Sequence, residues 1–224
     1  MSRWSEWWKR ICSLGKPQSF ALNELDRRLE AFLNHDQGVF IEAGANDGIQ
    51  QSNTLYFERY RGWSGLLVEP IPELAARCRR NRPKCHVAHA ALTPRGFPDK
   101  QIAMRYCGLM SLVKGGMKSV DEEDQHIATG TECQRLQSYE VQVPAETLSD
   151  LWDRYRLDQV DLLSLDVEGF ELPALQGLDL NRHRPRWLLI EARYRAEIEA
   201  YLGDWYHPEA ELSHHDVLYR CKAA

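Results

Sequence analysis

The sequence predicts an α/β protein built on a mostly parallel sheet with helices on both faces. Three observations lead there: short apolar runs recur along the chain, stretches with helical spacing alternate with them, and the apolar runs are long enough for strands buried on both sides. Where the first run ends, in FIEAGANDGIQQSNT at 40–54, an acid and two glycines follow in quick succession. That turn is the first candidate for a ligand site, because open α/β sheets bind ligands beyond the carboxyl ends of their strands.

The elements follow in order. Residues 1–19 hold Trp4, Trp7, Trp8, Ile11 and Leu14 at helical spacing among basic residues, which makes an amphipathic segment able to meet a membrane surface, the domain or another subunit. Residues 20–224 are expected to form one domain, starting with a helix over 20–33 that carries Phe20, Leu22, Leu25, Leu29, Phe32 and Leu33. Strands are expected at 39–43, 65–70 and 86–92, and helices at 52–60 and at 72–81, where Pro72 suits a helix start. Further strands are expected at 101–106 and 139–143, and between them 107–138 breaks the rhythm. That segment has four glycines (Gly108, Gly115, Gly116, Gly130) and no clear apolar period, and it reads as a lid or binding insertion. Its acidic run from Asp121 to Asp124 reads as a solvated helix start after Ser119. Helices at 147–156, 170–178 and 195–202 then alternate with strands at 160–168 and 186–192, and 216–221 closes the sheet as an antiparallel strand at or near an edge.

Composition narrows the class of function. The chain has 224 residues, 43% of them hydrophobic and 27% charged, enough for one full core. A net charge of −5 without a long Lys or Arg block argues against nucleic acid. The six cysteines (Cys12, Cys78, Cys85, Cys107, Cys133, Cys221) form no C-x-x-C pair, the pattern of reduced thiols in a cytoplasmic protein. No apolar stretch approaches a membrane span, and no signal-peptide core is evident.

The opening turn reads E-x-G-x-x-x-G, from Glu42 to Gly48, so it lacks one glycine of the dinucleotide fingerprint, and a G-x-x-x-x-G-K-[ST] loop is absent. An acid here is ill suited to phosphate and well suited to a cation. Glu69, at the end of the second strand, can accept hydrogen bonds from both hydroxyls of a ribose. An acidic first turn with an acidic second strand end therefore suggests a nucleoside bearing positive charge, of which S-adenosylmethionine is an example.

The blocks FIEAGANDGIQQSNT, GWSGLLVEP, TLSDL, DLLSLDVEGFE and HDVLYR, in that order, resemble the FkbM family of S-adenosylmethionine-dependent methyltransferases over roughly 38–221, with DVEGFE the most specific. The resemblance implies a class I methyltransferase sheet, Rossmann-like, of about seven strands. It also implies that Glu42, Ala43, Gly44 and Asn46 surround the methionine part, with Asp47, Gly48 and Asn53 in the same loop, that Glu69 holds the ribose, with Pro70 next to it also meeting the cofactor, and that 88–91, including Ala90, borders adenine. Asp166, in the expected strand 160–168, would also reach the cofactor.

Methyl transfer requires mainly positioning, plus a general base if the acceptor is a hydroxyl. Asp166, ending the strand VDLLSLD, is the first candidate for that base, with Glu168 and Glu191 beside it at neighbouring strand ends. The same acids are candidates to hold Mg²⁺, through Asp166 and Glu191 in particular. Each also has a purely structural explanation: Glu168 as a cap of the helix near Phe170, Glu191 as a partner of Arg193 or Arg195, Glu69 as a partner of a nearby Arg. Tyr106, Met110, Ser111 and His126 are the expected acceptor-site residues, His126 if the insertion folds over the pocket, while His89, His214 and His215 suit surface or packing roles. The expected acceptor is a sugar, glycolipid or polyketide-like hydroxyl. The alternatives are an NAD-dependent oxidoreductase on a similar sheet, or a non-catalytic scaffold that binds a partner through the Trp-rich segment.

Overall fold

The computed structural model describes residues 18–222. The Trp-rich segment therefore lies outside the described residues, apart from Gln18 and Ser19. Among the described residues, eleven strands form two sheets, and the larger has seven strands in the order β10-β11-β9-β8-β1-β2-β3. Its centre is β1 (Val39–Ala43), paired in parallel with β2 (Ser64–Val68) and β8 (Leu162–Leu165), while β9 (Trp187–Glu191) continues the parallel set. β11 (Asp216–Cys221) runs antiparallel to β9, and β10 (Tyr206–Glu211) forms the edge.

The apolar runs are continuous because both faces of this sheet are covered. Phe40, Leu67, Leu162 and Leu189 point to one face with Leu25 and Leu29 of α1 (Leu25–Leu29), Tyr56 and Phe57 of α2 (Leu55–Arg61) and Cys78 of α3 (Pro72–Asn81). Their neighbours Ile41, Leu66, Leu163 and Leu188 point to the other. The covering helices there are α5 (Leu148–Tyr155), α6 (Glu171–Gln176) and α7 (Arg195–Leu202). A one-residue slip in any central strand would exchange the two sets and spoil both layers.

The smaller sheet has the order β4-β7-β5-β6, built from β4 (Ala91–Leu92), β5 (Gln101–Tyr106), β6 (Leu112–Val113) and β7 (Tyr139–Glu146). Met104, Val113 and Val143 pack there against Ile71, Leu74 and Ala91, which sets this sheet against the start of α3 and the end of the strand region around β3 (His86–Ala88).

Four sequence expectations need correction. The helix over 20–33 is only a short 3₁₀ turn followed by α1, because Asn23 and Glu24 take left-handed backbone angles and the buried Asp26 carboxylate captures the Phe20 and Ala21 amides and the Ser19 hydroxyl. The run 86–92 is two strands: β3 ends at Ala88 and β4 belongs to the smaller sheet. The segment 107–138 is not irregular, for it holds a 3₁₀ turn, β6 and α4 (Val120–Gln134), whose N-cap Ser119 accepts from the Glu122 amide. Finally β10 was not expected, since its Tyr-His-Pro-Glu-Ala-Glu run is mostly exposed. Among the described residues no helix is long and apolar enough to cross a membrane.

Candidate active site

A cleft of about 770 Å³, counting its open mouth, lies past the carboxyl ends of β1, β2 and β8. Ala43, Gly44 and Asn46 form its floor, with Glu69, Pro70 and Ala90 on one side and Asp166, Val167 and Glu168 on the other. Met104, Leu109, Ser111, Val113 and Phe170 roof it. Among the described residues, its lining holds three carboxylates and no Lys, Arg or His.

The turn after β1 is tied to β2. The Ala45 amide donates to the Val68 carbonyl (3.1 Å), and the Asn46 amide to Glu69 Oε2 (2.7 Å), with Asn46 in a left-handed conformation. Glu69 Oε1 accepts from the Ile71 amide at 2.8 Å. The Glu69 carboxyl is thereby fixed between two backbone donors, and burial pushes its pKa up to about 7 against those two hydrogen bonds. Among the described residues no ion pair joins it to an arginine, so the structural explanation offered by the sequence does not apply.

Gly44 is constrained more by the protein than the sequence suggests. At φ +77°, a Cβ here would stand 1.9 Å from the Asp166 carbonyl oxygen, so β1 and β8 approach too closely for any side chain. The Asp166 amide in turn donates to the Ala43 carbonyl at 3.0 Å.

Four expected cofactor residues stand behind the cleft instead of lining it. Glu42 is buried, and its carboxylate accepts from the Asn53 amide (2.7 Å), the Ser52 hydroxyl (2.9 Å) and the Thr54 hydroxyl (2.5 Å). The fully buried Arg82 sits 3.8 Å away and also grips Glu58, the Gly48 carbonyl, Ser52 and Thr54. Asp47 Oδ1 closes the turn by accepting from the Ile49 and Gln50 amides, and Oδ2 pairs with Arg77 at 2.8 Å. Gly48 faces Arg82 and Cys78, and Asn53 donates to Ser164 at 3.1 Å. The acid of the opening motif therefore builds the loop that shapes the cleft and is not presented to a ligand.

The loop after β8 carries the acids. Asp166 is exposed at the cleft, where desolvation by the surrounding protein, followed by the charges of Glu191 and Glu168, raises its carboxyl well above the usual range. Burial and the nearby Glu191 push Glu168 up to about 8. Carboxylate oxygens of Asp166, Glu168 and Glu191 all lie within 4.8 Å of one another, and Glu191 Oε2 is a buried oxygen without a hydrogen-bond partner. Glu191 makes no ion pair with Arg193 or Arg195, which instead hold Glu122 and Glu168, and Glu199 and Glu211. Glu168 caps no helix: α6 starts with no side-chain cap on Phe170. It occupies a left-handed position before Gly169, with the buried Glu171 accepting from the Gly169 (2.9 Å) and Val167 (3.2 Å) amides. Glu171, not singled out by the sequence reading, is thus the residue that shapes this loop, as an acid two residues past the D-V-E-G turn can.

Of the expected acceptor residues, Ser111 lines the cleft, whereas Tyr106, Met110 and His126 do not. Tyr106 packs on Tyr139 with ring centroids 4.7 Å apart. The Met110 carbonyl accepts from His126 Nε2 (3.0 Å), whose other neighbour is Glu168 Oε2 at 3.3 Å. Met104, Leu109 and Val113 were missed because they come from the smaller sheet and its turns, and Phe170 because it stands in the turn after β8. Only the alternation Ile102, Met104, Tyr106 hints at one shared face there.

Comparison with known proteins places this geometry in context. Residues 42–220 match the model of the methyltransferase FkbM domain. "Methyltransferase 1" of Beauveria bassiana is 33% identical over 168 residues, 70% of this chain, and the chain spans 63% of that curated relative. Among solved structures, methyltransferase FkbM from Methylobacillus flagellatus KT is similar at TM-score 0.48 and 14% identity, over 83% of this chain and 44% of that one. A TehB-like SAM-dependent methyltransferase from Corynebacterium glutamicum is similar at TM-score 0.44 and 11% identity, over 98% and 96%.

Proposed function

Because the chain belongs to the FkbM methyltransferase family, we propose that it moves a methyl group from S-adenosylmethionine to a hydroxyl of a small molecule such as a sugar, glycolipid or polyketide. The observation that carries this reading is the cleft lining, which among the described residues has three acids and no basic side chain, and which suits a sulfonium nucleoside and opposes a pyrophosphate. The family assignment leaves the oxidoreductase alternative without support.

The residues present fit such a group. Glu69 keeps unused lone pairs while its carboxyl is anchored by the Asn46 and Ile71 amides, as a holder of the ribose diol requires. Gly44 and Asn46 would hold the amino-acid part, and Pro70 and Ala90 would border the base. The bound cofactor supplies an electrophilic methyl group.

Asp166 is assigned as the base that takes the acceptor hydroxyl's proton. Its raised affinity for protons suits a group that takes one up, and Glu191, whose carboxylate lies close beside it, would share the proton. Glu168 flanks the cleft and orients the acceptor, and Ser111 is the polar group on the roof. Mg²⁺ held by Asp166 and Glu191 is tested separately: turnover that survives a chelator assigns those acids to proton handling alone.

The deciding experiment incubates the protein with methyl-labelled cofactor and a panel of hydroxylated acceptors. Label should appear in an acceptor, and Asp166→Asn should lower turnover by roughly 10²-fold while leaving affinity for S-adenosylhomocysteine near that of the wild type. Unchanged turnover in Asp166→Asn would remove the base assignment.

A further inference from the structure

The least expected contact near the cleft comes from α4. His126 is buried on that helix and reaches the loop after β8, although it is distant in sequence and the helix is otherwise polar. Its Nε2 faces two acceptors, the Met110 carbonyl at 3.0 Å and Glu168 Oε2 at 3.3 Å. Its Nδ1 faces Arg193 Nη2 at 3.4 Å. A guanidinium only donates, and a carbonyl only accepts. One tautomer satisfies all three neighbours: neutral imidazole with the proton on Nε2.

We propose that His126, in its neutral Nε2–H form, is a positioning residue that donates to the Met110 carbonyl, ties α4 to the roof, and sets its ring edge 3.3 Å from Glu168 Oε2, holding the Glu168 carboxyl at the cleft wall. His126 touches none of the cleft surface itself, so it acts through Glu168. The geometry needs such a device because Glu168 stands at φ +56° beside Gly169, a backbone position with little local hold on a side chain. Arg193 completes the arrangement from the far side, 3.8 Å from Glu168 and 3.9 Å from Glu122. Tyr194, in turn, donates to Glu122 at 2.9 Å, so α4 is clasped to the segment after β9 at the same level.

The neutral form also agrees with the surroundings. Burial lowers the His126 pKa, and the Arg193 charge lowers it further, against the Met110 hydrogen bond and the acids Glu191 and Glu122. The proposal rests on the methyl-transfer reading only for what Glu168 orients; the tautomer and the clasp are properties of the protein alone.

The test uses the full chain labelled with ¹⁵N. Long-range ¹H–¹⁵N spectra of the imidazoles, with His126 assigned by the loss of its signals in His126→Gln, should show a neutral ring protonated at Nε2 at pH 7.5. In Glu168→Gln the Nε2 proton should stay but shift. Hydrogen exchange then separates positioning from simple packing. His126→Leu should speed exchange of the Gly169 amide by about tenfold, the scale of one lost buried hydrogen bond, and His126→Gln, which keeps a donor, should restore most of the protection. An Nδ1–H or doubly protonated ring, or a Leu variant that protects Gly169 as the wild type does, would overturn the proposal. Binding of S-adenosylhomocysteine is measured alongside: its absence with the Nε2–H ring present would defeat the methyl-transfer reading and leave the positioning role intact.

Discussion

At the scale of single residues, the site depends on a few atoms with no room for change. Gly44→Ala forces a Cβ into the Asp166 carbonyl at 1.9 Å. It is expected to destabilise the fold by ~2 kcal/mol or more through strain and displacement of the β8 end, read as a lowered urea midpoint. Glu69→Gln keeps size and one acceptor oxygen but removes the charge. We expect ~10- to 100-fold weaker binding of S-adenosylhomocysteine, the cost of one or two charge-assisted hydrogen bonds, measured by calorimetry. Glu69 and Asp166 were legible in the sequence because each ends an apolar run, where a side chain must emerge at the mouth of the sheet. Glu42 misled for the same reason. It also ends a strand, but Arg82 and the Ser52 to Thr54 turn consume its carboxylate, and partners so far along the chain leave no local pattern.

At the scale of elements, the central strands could be read directly and the roof could not. β1, β2, β8 and β9 are apolar on both faces, so composition alone marks them. α4 hides its period: its buried positions are Glu123, His126, Ile127 and Gly130, correct in spacing but mostly polar or small. β10 hides as an exposed edge strand carrying a proline. The loop between β8 and α6 depends on Glu171, whose carboxylate holds the Val167 and Gly169 amides. Glu171→Ala should cost ~1–3 kcal/mol by leaving those donors unpaired, and should speed exchange of the two amides. The loop after β1 depends on Arg82. Arg82→Met strips a fully buried cation from Glu42 and Glu58, and a loss of ~3–5 kcal/mol is expected from the uncompensated carboxylates, checked by chemical denaturation.

At the scale of the whole molecule, collecting acids in one cleft has a thermodynamic signature. Burial raises Glu69 and Glu171 to about 7 and Glu168 to about 8, above their ordinary 4.5. Between those values the folded state binds more protons than the unfolded one, so unfolding free energy falls as pH rises. The stability these groups contribute is complete below about pH 4.5 and is lost through pH 7–8. Exposed Asp153 and Glu140, held low by Arg182 and Lys114, act in a separate window below that range. His126, with a lowered pKa, works oppositely and only as pH falls below its ordinary 6.5. The ligand-free protein should therefore lose stability from about pH 5 to about pH 8 and level off above that, and a cationic ligand in the cleft should restore more at the upper end.

The central claim is that the acid-lined cleft beside Gly44 is made for a positively charged adenosyl ligand held through Glu69. Titration calorimetry at pH 7.5 with S-adenosylmethionine, S-adenosylhomocysteine and NADH, on the wild type and Glu69→Gln, tests it most directly. The expected result is one site per chain for both adenosyl compounds, weakened in the variant, with no binding of NADH. NADH binding, or adenosyl affinities equal in both proteins, would contradict it.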